Sequence, residues 1–148
     1  MTASLPGMEQ MMLITVRQPW AWLIVNASKD LENRVWCTEY RGALAIHAAK
    51  GATLEEYAAC ESFLRKINSS ARLPAFGDLV KGAVVGVAEL SGCVTSSKSK
   101  WFFGPKALVL RNRRPLRAPF PYRGVRRLEL LPPETAAWIA GLATKKPG

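Results

Sequence analysis

Lys29, Glu32 and Arg34 follow one another at offsets of three and two residues, in the stretch NASKDLENR just after an apolar run. A lysine beside a carboxylate and a guanidinium can bind a phosphate or a carbonyl. If it is partly desolvated beside another cation, its pKa falls and it can instead serve as a base. A glutamate flanked by cations stays ionised and accepts hydrogen bonds from a base edge or an amide. On a strand, Glu32 and Arg34 point the same way. Lys29, at the turn before them, can reach the same hollow. The same spacing also describes a solvated ion-pair trio of little energetic worth, and the offsets alone do not choose between the two.

Other residues carry compatible chemistry. In Arg17-Gln18-Pro19-Trp20, the Gln18 amide offers donors and acceptors suited to a nucleobase edge. Trp20 and Trp36 can stack a base or pack the core. Residues 111–127, RNRRPLRAPFPYRGVRR, hold seven arginines and no acid, with Phe120 and Tyr122 interleaved. That composition binds phosphates and stacks bases, so Arg111, Arg113, Arg114, Tyr122 and Arg123 are candidate contacts, with Arg41 in the TEYRG turn. His47, the only histidine, is expected as a hydrogen-bonded wall residue. Glu89 is expected to be half-buried and paired with an arginine.

These side chains need a scaffold. MMLITV (11–16) is a β-branched apolar run and predicts a strand. Pro19 suits the first turn of a helix ending near Asn26 or Ala27, with Asn26 able to adopt a left-handed C-cap. LENRVW (31–36) alternates and predicts a short strand, followed by a turn and a strand over 43–49. Thr53 and Glu56 form a capping-box pattern before a helix over about 54–67, with Leu54, Tyr57, Ala58, Phe63, Leu64 and Ile67 toward the core. A strand is predicted over 82–94, with Gly86 as a bulge or close-approach point. Further strands are predicted over 106–112 and 125–132, with an irregular Pro/Arg loop, RPLRAPFPYRG, between them and a short helix after Pro133. No regular βαβ repeat develops, so the expected class is α+β with a small, mixed, curled sheet, for which barrel closure would remove the open edges.

Bulk properties narrow the function. The 148 residues fit one domain, expected over 11–143, with residues 1–10 a loose leader and 144–148 a tail. No apolar run approaches the roughly 18 residues of a membrane span, and the start does not read as a signal peptide. Three separated cysteines without a CxxC argue against a disulfide framework or a zinc site, and for reduced thiols in the cytoplasm. Metal catalysis is not expected, nor any cofactor. A net charge of +10 points to a polyanionic partner, with nucleic acid first.

The run ITVRQPWAWLIVNASKDLENRVWCTEYRGALAIHAAK, with the later VVGVAEL, WFFGP and PYRG, resembles the ASCH (activating signal cointegrator homology) domain family of the PUA-like superfamily, over roughly residues 13–132. The family signature GxKxxExR reads here as Ala27-x-Lys29-x-x-Glu32-x-Arg34, with alanine in place of the glycine. The resemblance implies a small β-barrel flanked by two or three helices. It also implies binding of RNA, single-stranded nucleic acid or a nucleotide in a basic cleft lined by the signature. Some relatives are amidohydrolases acting on N4-acetylcytidine through a threonine nucleophile, where this chain has Glu32. Others are ribonucleases, and the resemblance then implies that Lys29 acts on a ribose 2′-hydroxyl or the pentavalent phosphate while Arg34 holds the phosphate. An RNA-acting, metal-independent enzyme is therefore the alternative to a binding module.

Overall fold

The computed structural model describes residues 10–145. The chain begins with strand β1 (Met11–Val16) and helix α1 (Trp20–Asn26). Strands β2 (Leu31–Arg34) and β3 (Gly42–Ala48) follow, then helix α2 (Leu54–Lys66). After a 3-10 turn at Phe76–Asp78 come β4 (Ala83–Val94), β5 (Lys106–Pro121), β6 (Leu128–Leu130) and helix α3 (Pro133–Leu142). The expected leader lies, apart from Gln10, outside the described residues, as do residues 146–148 of the expected tail.

All six strands form one sheet in the order β2-β5-β4-β3-β1-β6. Only β1 and β3 run parallel, with α1 and β2 in the long connection that a parallel pair needs. The expected α+β class and mixed sheet are present, but the hydrogen-bonded ladder is open between its end strands, so the sheet curls without closing into a barrel. Alternation along the strands sorts two cores. Ile14, Val16, Leu44, Ile46, Leu90, Leu108 and Leu110 face the inside of the curl and pack against Ala21, Ile24 and Val25 of α1. Met11, Leu13, Ala45, Val84 and Val87 face outward and are covered by Ala136 and Ile139 of α3.

Gly86 lets α1 approach. A Cβ there would lie 2.3 Å from Val25 Cγ1 and 2.6 Å from the Arg114 carbonyl oxygen. The β4–β5 register slips beside it, between Val84 and Gly86, so both a bulge and a close approach occur at the expected glycine. The capping box of α2 forms through Thr53 and Glu56. Leu54, expected in the core, is 67% exposed, because it lies in the first turn, ahead of the face that carries Cys60 and Leu64.

Two larger corrections concern β5 and the cysteines. The Pro/Arg-rich stretch after residue 112 is no loop: β5 continues to Pro121 and pairs with β4 as far as Ala83↔Pro121. The register slips along the β4–β5 ladder accommodate prolines that a regular central strand would reject. Cys37 and Cys93 form a disulfide with Cα atoms 5.9 Å apart. The chain leaving β2 passes the end of β4, a meeting across 56 residues of sequence that spacing does not reveal. Only Cys60 is free and buried.

Candidate nucleic-acid cleft

The helix α1 ends without the left-handed residue expected at Asn26. Ala27 takes an extended conformation, φ −134° and ψ −151°. An alanine at the signature's glycine position is therefore unstrained. Arg113 caps this end, donating from Nη1 to the carbonyls of Ile24 (3.0 Å) and Ala27 (2.8 Å), and burial lowers the pKa of its guanidinium. The chain then turns at Lys29 and enters β2, whose pairing with β5 places Glu32 opposite Leu108 and Arg34 opposite Lys106. Because Leu108 belongs to the inner core, Glu32 shares the concave face of the sheet.

There the three ionisable groups converge. Lys29 is buried, 3% exposed, and its Nζ donates to the Leu31 carbonyl and, at 3.2 Å, to Glu32 Oε1. Arg34 Nε donates to Glu32 Oε2 at 3.1 Å, and its Nη2 reaches the Thr15 carbonyl on β1 at 2.7 Å. Each carboxylate oxygen thus takes one cation, and the trio carries a net single positive charge. Lys29 Nζ lies 5.9 Å from the Trp20 ring centre, and Arg34 lies 5.8 Å from that of Trp36, distances at which an indole face attracts a cation.

Two contiguous hollows open over this trio. One of about 270 Å³ is lined by Trp20, Lys29, Glu32, Asn33 and Phe103. The other, about 540 Å³, shares Trp20, Glu32 and Asn33 and extends past Arg17, Arg34 and Trp36. Arg17 stands at its rim in a two-point ion pair with Glu56, Nη2 to Oε1 at 2.7 Å and Nε to Oε2. The Arg17 hydrogen bond holds the Glu56 carboxyl below the usual carboxylate range.

The remaining candidates lie elsewhere. Gln18 is 2% exposed and hydrogen-bonded at both ends of its amide, with Nε2 on the Val80 carbonyl at 2.8 Å and Oε1 accepting from Trp22 N–H at 2.9 Å. It ties α1 to the loop before β4 rather than facing the cleft. Arg41 and Arg114 line a separate hollow of about 530 Å³ on the face that α3 covers. Arg41 is held there by the Thr38 and Tyr40 carbonyls. Arg111 is exposed on β5. Arg123 pairs with Glu129. Tyr122 stacks its ring on Phe120, with centroids 6.2 Å apart. Glu89 accepts from Asn112 Nδ2 at 2.9 Å, not from an arginine.

Carbonyl geometry fixes the state of His47. The Tyr122 carbonyl, 2.6 Å from Nε2, can only accept, so Nε2 carries the hydrogen. In the neutral ring, which burial favours, Nδ1 accepts from Thr15 Oγ1 at 3.1 Å, and Thr15 Oγ1 in turn accepts from Val125 N–H. His47 is a satisfied wall residue.

Three cleft residues carried no individual signal in the sequence. Asn33 and Phe103 line the smaller hollow. Arg127 sits 5.3 Å from the Trp36 ring centre, exposed and without a hydrogen-bonded or ionic partner among the described residues. The WFFGP aromatics and the arginine run contained two of them, but only the fold brings them to β2. No group of His, Cys, Asp and Glu side chains able to hold a metal occurs among the described residues.

Fold and site together define a small α+β domain whose curled sheet presents an ion-floored, tryptophan-walled cleft. The ASCH domain profile matches residues 14–138, and the chain belongs to that family. Human activating signal cointegrator 1 is 28% identical over 121 residues, covering 75% of this chain but only 20% of that protein, so the chain spans about a fifth of this relative. The crystal structure of an ASCH protein from Zymomonas mobilis superposes with a TM-score of 0.57 at 16% identity, covering 90% of this chain and 96% of that one. A tyrosine-to-phenylalanine mutant of the same protein superposes equally, TM-score 0.57 at 15% identity, over 92% and 100%. No helix among the described residues is long and apolar enough to cross a membrane.

Proposed function

We propose that this single ASCH module, residues 11–143, binds an RNA strand or a nucleotide in the cleft over Lys29, Glu32 and Arg34. The observation that carries the reading is the convergence of two cations on one carboxylate beneath an opening flanked by Trp20 and Trp36. Such a floor offers a remaining Lys29 N–H as donor and free lone pairs on Glu32 as acceptors. The flanking indoles offer π-faces to a base. The net charge of +10 supplies the long-range attraction for a polyanion. Family membership supports the same reading, since ASCH domains are generally associated with RNA. On this reading binding needs no metal or cofactor.

A fluorescein-labelled ten-nucleotide single-stranded RNA, followed by anisotropy across a salt series, tests it. Binding should weaken linearly with log[salt]. Lys29→Ala, checked for folding by circular dichroism, should weaken it roughly ten- to a hundredfold, the worth of a hydrogen bond to a charged group. Wild-type protein that ignores the RNA at low salt would sink the proposal. Chelator-resistant cleavage of the same RNA, lost in Lys29→Ala, would replace the binding module with a nuclease whose Lys29 acts in the chemistry. Deacylation of an acylated cytidine under the same conditions would replace it with an amidohydrolase.

A further inference from the structure

Phe103 is 61% exposed, a large apolar side chain the core does not need. It caps a turn after the buried Trp101, which Ser99 holds at its start and Asn33 clamps from β2. Asn33 Nδ2 donates to the Trp101 carbonyl at 2.9 Å, while Asn33 Oδ1 accepts from the N–H groups of Phe103 (2.7 Å) and Gly104 (3.0 Å). Gly104 adopts φ +76°, a conformation that costs glycine little. Asn33 lies between Glu32 and Arg34, so the strand that carries the ionic floor also fixes the aromatic turn. Phe63 packs between the walls, with ring centroids 4.9 Å from Phe103 and 5.8 Å from Trp20. Phe103, Trp20, Lys29 and Glu32 together bound the hollow of about 270 Å³.

We infer that this hollow is a pocket for one unpaired nucleobase. Phe103 is the stacking surface, Trp20 the facing wall, and Asn33 the positioning residue that sets Phe103 at the correct height. The inference rests on the binding reading above and narrows its ligand. The volume lies just under the range of drug-sized pockets, as a single flat ring system requires. An aromatic turn clamped at three points loses little entropy on stacking. A base inside a duplex has no free face to offer, so the ligand class is single-stranded or extruded nucleotides, not duplexes and not phosphate alone.

The same labelled RNA provides the test, beside a fully paired RNA duplex and inorganic phosphate as competitors. Phe103→Ala should weaken single-strand binding roughly five- to a hundredfold, the measured range for one base–aromatic stack. Phe103→Trp should restore it, while Phe103→Leu, equally apolar but without a π-face, should not. Asn33→Ala should weaken binding similarly, and Asn33→Ala with Phe103→Ala should cost no more than either alone, as expected when one residue acts through the other. Because Phe103 is exposed, its variants should melt near the wild-type temperature. Unchanged affinity in Phe103→Ala, or full affinity in Phe103→Leu, overturns the stacking role while wild-type binding keeps the cleft reading intact. Duplex or phosphate competing as well as single strand overturns the ligand class. Wild-type protein with no RNA affinity removes both readings together.

Discussion

The guanidinium of Arg34 donates from Nη2 to the main-chain oxygen of Thr15 at 2.7 Å, joining strand β2 to strand β1 across the gap in the sheet. These strands have three others between them in the ladder order, so the contact exists only because the sheet curls. It falls beyond the end of β6, which pairs with β1 only from Met12 to Ile14. A side chain thus satisfies a carbonyl that a closing strand would otherwise have taken, and the same side chain forms part of the cleft floor.

This linkage makes Glu32 a structural residue as well as a candidate ligand contact. Its carboxylate is the counter-charge for both Lys29 and Arg34, whose side chains are 4% and 18% exposed. Glu32→Gln leaves two largely buried cations with a neutral amide. Breaking a buried pair from one side costs about 3–5 kcal/mol. The Leu31 and Thr15 carbonyls still serve the cations, so a loss of about 3 kcal/mol is expected in urea unfolding. The exposed Arg111→Gln should change stability by no more than about 0.5 kcal/mol. A Glu32→Gln midpoint indistinguishable from the Arg111→Gln midpoint would show that the trio is solvated.

Much of this arrangement was legible before the fold was known, and the reasons are local. Apolar periodicity located β1, β3, β4 and α2 to within a residue or two, and Thr53 with Glu56 marked the start of α2. Strand alternation placed Glu32 and Arg34 on one face, a near-neighbour property, but the offsets left open whether Lys29 joined them or the trio dispersed into solvent. What the sequence hid was long-range. Arg113 looked like a phosphate contact but caps α1 from 86 residues away. Gln18 looked like a base reader but is consumed by Val80. The extent of β5 was masked by prolines whose placement depends on β4. Each of these residues has the right chemistry for a ligand and spends it inside the protein.

Burial of His47 gives the fold a pH dependence. Desolvation lowers its pKa from an unfolded value of 6.5, partly opposed by the bond to the Tyr122 carbonyl. The folded state therefore binds the proton less readily than the unfolded chain. Stability is full above pH 6.5 and falls as the pH drops below that value, until the lowered folded pKa is passed. The slope in that window is at most about 1.4 kcal/mol per pH unit, the limit for one proton. Urea titrations at pH 7.5, 6.0 and 5.0, compared with His47→Gln, should show the steeper loss in wild type. Parallel profiles for the two proteins would mean that the imidazole is protonated in place.

The cysteines give a count that can be read directly. Cys37 and Cys93 are bonded, and burial pushes the Cys60 thiol up to about 12. Native protein purified without reductant should therefore react with iodoacetamide at no cysteine, and denatured protein at Cys60 alone. After reduction and denaturation all three cysteines should react. Reduction should also lower stability by about 4 kcal/mol, the chain-entropy value for a loop of this length. Alkylation of Cys37 in native, unreduced protein would rule out the pairing. Cytoplasmic reducing poise would be expected to hold the pair open, so intact-mass analysis of protein taken from cells reports on where it resides.

Arg127 separates a backbone contact from a merely basic surface. Its guanidinium shares the Trp36 ring with Arg34, at 5.3 and 5.8 Å. Arg34 is bound to Glu32 and Thr15, while Arg127 has no such partner among the described residues. Two cations on one indole repel each other, and a phosphate beside them relieves that repulsion. Arg127→Ala should therefore weaken RNA binding by a similar factor for every sequence, and reduce the slope of log K against log[salt] by about 0.7, the value for one phosphate of a single strand. Arg123 is committed to Glu129, so Arg123→Ala should leave the slope unchanged. If both substitutions flatten the salt dependence equally, the attraction comes from net charge spread over the surface, and Trp36 marks no route for the strand.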